Sequence, residues 1–562
     1  MKTTKLFLIC VVLQLFVACV LRGDEVDDYL RDVLDKQHVP GLSLAVLRGG
    51  KVIKTGAYGY ANLEFKVPTE PDTAYELASS TKPFTAMAIL LLEQDGKLKL
   101  TDRVTRYLTN CPADWKEITI EQLLTHTSGI KDYLSDFMHD FPHDTSPESF
   151  LESLATQSLK FTPGEKWSYS NSGYFLLGMI VQNVTGKTYD TFLAERVFKP
   201  AGMTNTRRDS PDEVIPNRAT GYLWWGPAGM HNGEFLKYLM MNNGDRGIVS
   251  TVLDLAKFDQ LLSGDSLLTA ATKARMWAPV KLNDGSTYDY GFGWFLSRVK
   301  GHRHISHPGG APGAHAMISK YPDDDLTILL LANGGGAYVQ GIDFGVAQFY
   351  IPDLRAKKIQ LSQAVLESYA GYYNAYGSQL LKIRAIDGEL HLDDGGGLVN
   401  SFLPVSATNF EARDADRGFT LQLDQEHKVT NLHLRLITDE MDVQPIGPLI
   451  EAATTRTDPD PTFTRKMEAC LKAMWVGGKA LDDALPIAYQ AKRDFGHGSP
   501  ELTGLEPLTF VAVYDVEAER INRHGAAVKK VYYYRVPESK SRRGVLIYVT
   551  AEGLVTDEDL ID

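Results

Sequence analysis

Apolar and polar positions along this 562-residue chain change rhythm several times. Residues 42–63, LSLAVLRGGKVIKTGAYGYANL, alternate with a period near two and predict a β-hairpin turning at Gly49-Gly50. From Ser79 the rhythm becomes helical, with Phe84, Met87, Ala88 and Leu91 on one face. A second amphipathic stretch follows at FLLGMIVQNVTGK, and DLTILLLANGG reads as a buried strand. Strands at both ends of residues 24–350, with helices between, predict an α+β layer whose terminal strands meet in one sheet.

After residue 365 short alternating runs (LLKIRAIDGELHLDD, GFTLQLD, VTNLHLRLI) are cut by turn residues, which predicts a small antiparallel barrel or sandwich over 365–450. The Pro- and Asp-rich TTRTDPDPTF reads as a linker. Helices at MEACLKAMW and ALDDALPIAYQAKRD, then strands at LTFVAVYDV, VKKVYYYRV and GVLIYVT, predict a separate α+β module over 456–562. A chain of this length is expected to hold several domains, at about 150 residues each.

The opening MKTTKLFLICVVLQLFVACVLRGDEVDD has a basic start, an apolar run and an acidic turn at Asp24, the pattern of a signal peptide over 1–23. LFVAC also resembles a lipoprotein box, which would make Cys19 a lipid anchor. No other stretch reaches the roughly 18 apolar residues of a membrane helix. The mature protein is therefore expected to be exported, periplasmic or extracellular, with no membrane span. The formal charge of −13 and the lack of a long basic run argue against a nucleic-acid partner. Cys10 and Cys19 fall in the leader, and Cys111 and Cys470 are far apart, so no disulfide framework is expected. CxxC and HExxH are absent, and no metal or cofactor is expected.

Candidate chemistry begins at LASSTKPF. The hydroxyls there would serve as helix caps, and Pro83 suits a first turn, but neither explains Lys82. Ser79 and Lys82, three apart, share a helix face, so hydroxyl and amine touch. The helix dipole contributes about 0.3 to 1 kcal/mol, less than the 1.36 kcal/mol of one pKa unit. Activating Ser79 therefore requires a base, and Lys82 qualifies if burial lowers its pKa. Ser128 and Lys131 repeat the spacing as a decoy.

Two further elements follow in order. KWSYSNSGYF holds Tyr169 and Asn171, a phenol for proton transfer and an amide for a substrate, in a segment that equally reads as a helix-capping turn. RHISHPGGAPGAHA holds His307, Gly309 and Gly310, where glycines let a backbone approach a ligand and an N–H face an oxyanion. Tyr372-Tyr373-Asn374, Lys54-Thr55-Gly56 and His231-Asn232-Gly233 match the same loose templates.

With the connecting text ITIEQLLTHTSGI, FTPGEKWSYSNSGY, GDRGIVSTVLDLAKF and YGFGW, residues 25–350 resemble the serine β-lactamase and penicillin-binding-protein superfamily, in its class C-like branch. The resemblance implies a β-lactamase/transpeptidase-like domain over 24–355, an antiparallel sheet flanked by helices plus an all-helical region. It makes Ser79 the nucleophile, Lys82 its proton partner, Tyr169 a general acid or base and Asn171 a substrate contact. The N–H groups of Ser79 and Gly310 would form the oxyanion hole, beside Gly309. His307 stands where β-lactamases usually place lysine, and the resemblance counts it among the catalytic residues. Which of Lys82 and Tyr169 takes the serine proton stays open. Pro308 stands where a threonine commonly holds the substrate carboxylate and offers neither hydroxyl nor N–H. The expectation is a serine hydrolase acting on a small-molecule or peptide amide or ester, a peptidase or esterase rather than an efficient β-lactamase.

The 365–450 region is similar to the lipocalin-like barrel of several relatives and the last module to cystatin-like or NTF2-like α+β folds. Both are candidates for holding a partner or mediating oligomers. Rival readings are a metal hydrolase built on His302, His304, His307 and His315, and a non-catalytic envelope protein that binds peptide or glycan. An α/β-hydrolase is disfavoured because no G-x-S-x-G elbow occurs.

Overall fold

The computed structural model describes residues 24–137, 146–210, 213–233 and 243–375 and, with short gaps, 379–476 and 507–561. The leader and the segment 480–494 lie outside the described residues. Contacts divide the chain into two units, 1–355 and 356–562.

The first unit is built on α1 (Glu25–Lys36), β1 (Gly41–Arg48), β2 (Lys51–Asn62), β3 (Val67–Pro68), α2 (Lys82–Gln94) and α3 (Asn171–Thr185). It closes with β4 (Phe295–Val299), β5 (His302–Ala311), β6 (Ala314–Tyr321), β7 (Leu326–Ala332) and α4 (Val339–Tyr350). The strands form one antiparallel sheet in the order β4-β5-β6-β7-β1-β2-β3. Strands from the two ends of the unit lie side by side, with Leu44 opposite Leu330, as the sequence pattern predicts. The hairpin turns where expected, and Gly49 and Gly50 both take positive φ, 58° and 66°. Two-residue hairpin loops need such angles, and side chains resist them.

β1 and β7 are buried on both faces, which explains their near-continuous apolar runs. Ala45, Leu47, Leu329 and Leu331 pack toward α2 and α3, whereas Leu44, Val46, Ile328 and Leu330 pack toward α1 and α4. Alternate residues thus serve two cores. Helix α2 is buried from Lys82 to Leu92, so a lysine begins the enclosed part of the helix.

In the second unit eight antiparallel strands between Gly371 and Gly447 pair in sequence order and close into a barrel. Its interior is filled by Ile383, Leu390, Phe402, Phe410, Phe419, Leu432 and Val443. A helix, Pro461–Val476, and a four-stranded antiparallel sheet follow. Tyr372 and Ile446 of the barrel share one buried cluster with Val511, Tyr533 and Leu546 of that sheet. Buried Arg523 donates to Asn374 Oδ1 (2.9 Å) and to Asp557 Oδ2 (2.7 Å).

Candidate active site

The segment before α2 departs from the capping expectation. Residues Ala78–Thr81 form a 3-10 turn that runs straight into the helix, and neither start carries a side-chain cap. The backbone is already helical at Thr81, which leaves no extended position from which a hydroxyl could reach back to the first N–H groups. The hydroxyl of Ser80 instead donates to His307 O of β5 (2.9 Å), tying the turn to the sheet. Ala78 is held at φ 46°, a costly angle for a residue with a Cβ, immediately before Ser79. Pro83 sits in the first turn as expected.

Ser79 is half-buried and Lys82 fully buried. Lys82 Nζ lies 3.2 Å from Ser79 Oγ, 2.8 Å from Asn171 Oδ1 and 2.9 Å from Asp245 O. It also sits 4.9 Å from the centre of the Tyr169 ring. Burial strips the ammonium of water and lowers the Lys82 pKa to about 7, while the Asp245 and Asp132 carboxylates draw it partly back up. Burial likewise pushes the Tyr169 phenol far above its ordinary value, against a smaller opposing effect of its hydrogen bond with Ser79.

The Tyr169 segment both caps a helix and brings the Tyr169 ring beside Lys82. Ser170 accepts the Gly173 N–H (3.2 Å) and starts α3, so Asn171 is the first helical residue. Asp132 Oδ1 accepts the Asn171 N–H (2.8 Å) and fixes that residue under Lys82. Tyr133 donates to Asp245 Oδ2 (2.7 Å), and Arg246 beside it pairs with Glu76.

The third element arrives on β5. A Cβ at Gly309 would stand 2.0 Å from Leu77 O and 3.0 Å from Ser80 N, so only glycine lets the strand pass this close to the Ser79 turn. Gly310 has more room, its nearest neighbour being the His315 ring at 3.4 Å. β4 pairs with β5 only from His302 to Ser306, which leaves the edge from His307 to Ala311 without a strand on that side among the described residues. His307 is buried, with Nδ1 donating to Pro308 O (2.7 Å) and Nε2 3.1 Å from Tyr290 Oη. Burial and the nearby lysine lower its pKa to about 3.

Ser79, Lys82, Tyr169, Asn171, His307, Gly309 and Gly310 therefore converge. The decoys do not. Ser128 Oγ accepts the N–H of Ile130, Lys54 pairs with Asp24 and Asp27, His231 stacks on Trp225, and Tyr373 donates to Tyr369 O. The other clustered histidines have separate partners: His302 meets Asp324, His304 meets Ser297 and Ser319, and His315 meets Gly334 O. Among the described residues no group of three or more His, Cys, Asp or Glu side chains could hold a metal ion.

Sequence reasoning did not single out Asp132, Asp245, His126 or Tyr290. Each lies in or beside a quoted family-like segment, but nothing local marks it as facing Lys82 or Tyr169.

The beta-lactamase family model matches residues 26–347. Penicillin-binding protein 4* of Bacillus subtilis strain 168 is 34% identical over 422 residues, covering 70% of this chain and 92% of that protein. Protein flp of Staphylococcus aureus strain N315 is 27% identical over 357 residues, 62% of this chain and 70% of that one. Among solved structures, a penicillin-binding protein from Bacillus halodurans aligns at TM-score 0.53 and 25% identity, over 58% of this chain and all of the other. An octameric penicillin-binding protein homologue from Pyrococcus abyssi aligns at TM-score 0.54 and 22% identity, over 75% of this chain and 99% of its own, and that likeness is one of fold. A matched span of this extent, joined to a serine and lysine set into one buried turn, makes the chain a member of the beta-lactamase family, with the serine-hydrolase fold of penicillin-binding proteins.

Proposed function

We propose that this protein is an exported serine hydrolase that cleaves amide or ester bonds through an acyl-enzyme on Ser79. The observation that carries the reading is the hydrogen-bond inventory of Lys82. Asn171 Oδ1 and Asp245 O are carbonyl oxygens and can only accept, so they take two N–H bonds of the amine. With a pKa of about 7, the neutral amine then keeps one lone pair, and its remaining near neighbour is Ser79 Oγ. That supports Lys82 as the base that receives the serine proton. Tyr169, whose phenol stays protonated at neutral pH, is then the acid that protonates the departing nitrogen or oxygen.

The serine oxygen attacks the substrate carbonyl, and the N–H groups of Ser79 and Gly310 receive the developing oxyanion. Collapse expels the leaving group with the proton from Tyr169, and the Lys82 ammonium passes the serine proton to the Tyr169 phenolate. Water then attacks the acyl-enzyme ester, giving its proton to Lys82 while Tyr169 protonates the departing Ser79 oxygen, and the same transfer from Lys82 to Tyr169 resets both groups. Asn171 orients Lys82 and contacts substrate, while Gly309 allows the approach of β5. Pro308 removes the threonine hydroxyl that would hold a penicillin carboxylate, which favours peptides or esters over β-lactams. The relationship to a penicillin-binding protein and the leader pattern support an envelope location, and among the described residues no helix is long and apolar enough to cross a membrane.

A fluorophosphonate should label Ser79, located by peptide mass spectrometry, and the adduct should form more slowly with Asn171→Ala. An adduct on Ser80 or Ser128 would overturn the assignment.

A further inference from the structure

His126 grips the Tyr169 segment at two points. Its backbone O accepts the N–H of Ser168 (2.9 Å) and its ring Nδ1 accepts the N–H of Ser170 (3.1 Å), one residue to either side of Tyr169. Its ring lies 4.4 Å from that of Tyr169, centre to centre. The residue is buried and held at φ 60°, so this contact is maintained at a backbone cost.

The same ring extends to β5. Because Nδ1 accepts from Ser170, the proton of a neutral His126 is on Nε2, which faces Tyr290 Oη at 3.1 Å. The Tyr290 hydroxyl, receiving that N–H, directs its own proton to His307 Nε2. His307 then carries its proton on Nδ1, the atom facing Pro308 O. Tyr290 also hydrogen-bonds with Tyr174, whose own proton goes to Leu124 O (2.7 Å), and both nitrogens of His307 are spent inside the protein. Lys82, in its protonated form, is the nearby charge that disfavours protonation of both rings, and the phenols of Tyr169, Tyr174 and Tyr290 around them are neutral.

We propose that His126 is a positioning residue for Tyr169, and that through Tyr290 it holds His307 as an uncharged strut rather than as an acid or base. The kinetic part rests on Tyr169 being the acid in the proposed reaction. The role differs from a buried structural histidine because the two ring nitrogens do separate work. Asparagine can replace Nδ1 toward Ser170 but does not reach Tyr290, whereas glutamine reaches Tyr290 but withdraws from Ser170.

In the intact protein, His126→Gln should lower kcat for a simple ester about 10²-fold with KM little changed, the scale of a misplaced catalytic group. His126→Asn should stay within a few-fold of wild type. Long-range proton–nitrogen spectra of wild type labelled at histidine, assigned with these variants and His307→Gln, should show Nε2–H at His126 and Nδ1–H at His307. Neither should titrate between about pH 5 and 8, the range in which an ordinary histidine does. A protonating ring, the opposite tautomer at either residue, or equal losses in Asn and Gln would overturn the proposal. The spectra need no substrate, so they judge the strut even if Gln misfolds, and failure of Ser79 to label in wild type would sink the hydrolase reading separately.

Discussion

Lys82 is where stability and chemistry should move against each other. Its pKa falls from 10.5 to about 7, which at 1.36 kcal/mol per unit means that holding the charged form in the fold costs about 5 kcal/mol. The folded chain releases this proton more readily than the unfolded chain, so between about pH 7 and 10 the unfolded state binds more protons and stability rises with pH. The penalty is complete below pH 7. Lys82→Met keeps the volume and removes the titration, at the cost of the bonds to Asn171 and Asp245. Relative to that variant, the wild type should gain about 2 kcal/mol of stability between pH 7 and pH 9. Urea unfolding followed by tryptophan fluorescence reads this, because six of the seven tryptophans lie within residues 24–355. Acylation should follow the same proton: labelling of Ser79 should rise about tenfold per pH unit below 7 and level off above it, and Lys82→Met and Lys82→Arg should both abolish it. Loss of general-base help is worth roughly 10² to 10⁴ in rate, and arginine does not give up its proton near neutrality. A stability difference that is flat from pH 7 to 9, or a labelling rate that falls through pH 7, would refute the argument.

Asp245→Asn removes a carboxylate that raises the Lys82 pKa, so the midpoint of the pH profile for acylation should move below 7; an unmoved or alkaline-shifted midpoint would contradict the assignment. Gly309→Ala places a methyl group 2.0 Å from Leu77 O, so the Ser79 turn must shift, and kcat/KM for an ester substrate should drop by about 10² or more. Tyr169→Phe should reduce turnover of amides by roughly 10² to 10⁴ and of esters with acidic alcohols less, since only a poor leaving group needs the proton. Penicillins should be turned over more slowly than simple esters or D-residue amides, and Pro308→Thr should improve them; fast hydrolysis unaffected by that change would show that Pro308 does not set the preference.

Local physics made much of this protein legible in its sequence. The hairpin at Gly49-Gly50, the buried runs of β1 and β7, the helix after Pro83 and the spacing of Ser79 and Lys82 depend on residues a few positions apart, and periodicity reports such relations directly. The closed barrel was readable as alternating short strands, although closure itself depends on the first strand, Gly371–Asn374, pairing with the last, Glu440–Gly447. What lowers the Lys82 pKa and fixes its hydrogen-bond partners was not readable. Its two carbonyl acceptors come from 89 and 163 residues away, and the burial that lowers its pKa is made by packing from several elements at once. The same limit hid His126 and Tyr290, 164 residues apart and meaningful only as a pair. The hydroxyls before α2 look like caps in sequence because capping is a local preference, yet Ser80 is spent on His307 O, 227 residues on. Sequence alone determined which groups the chain carries and which short elements they ride on, whereas the proton inventory of the site follows from desolvation and distant carbonyl oxygens, which exist only once the sheet and helices have closed around Lys82.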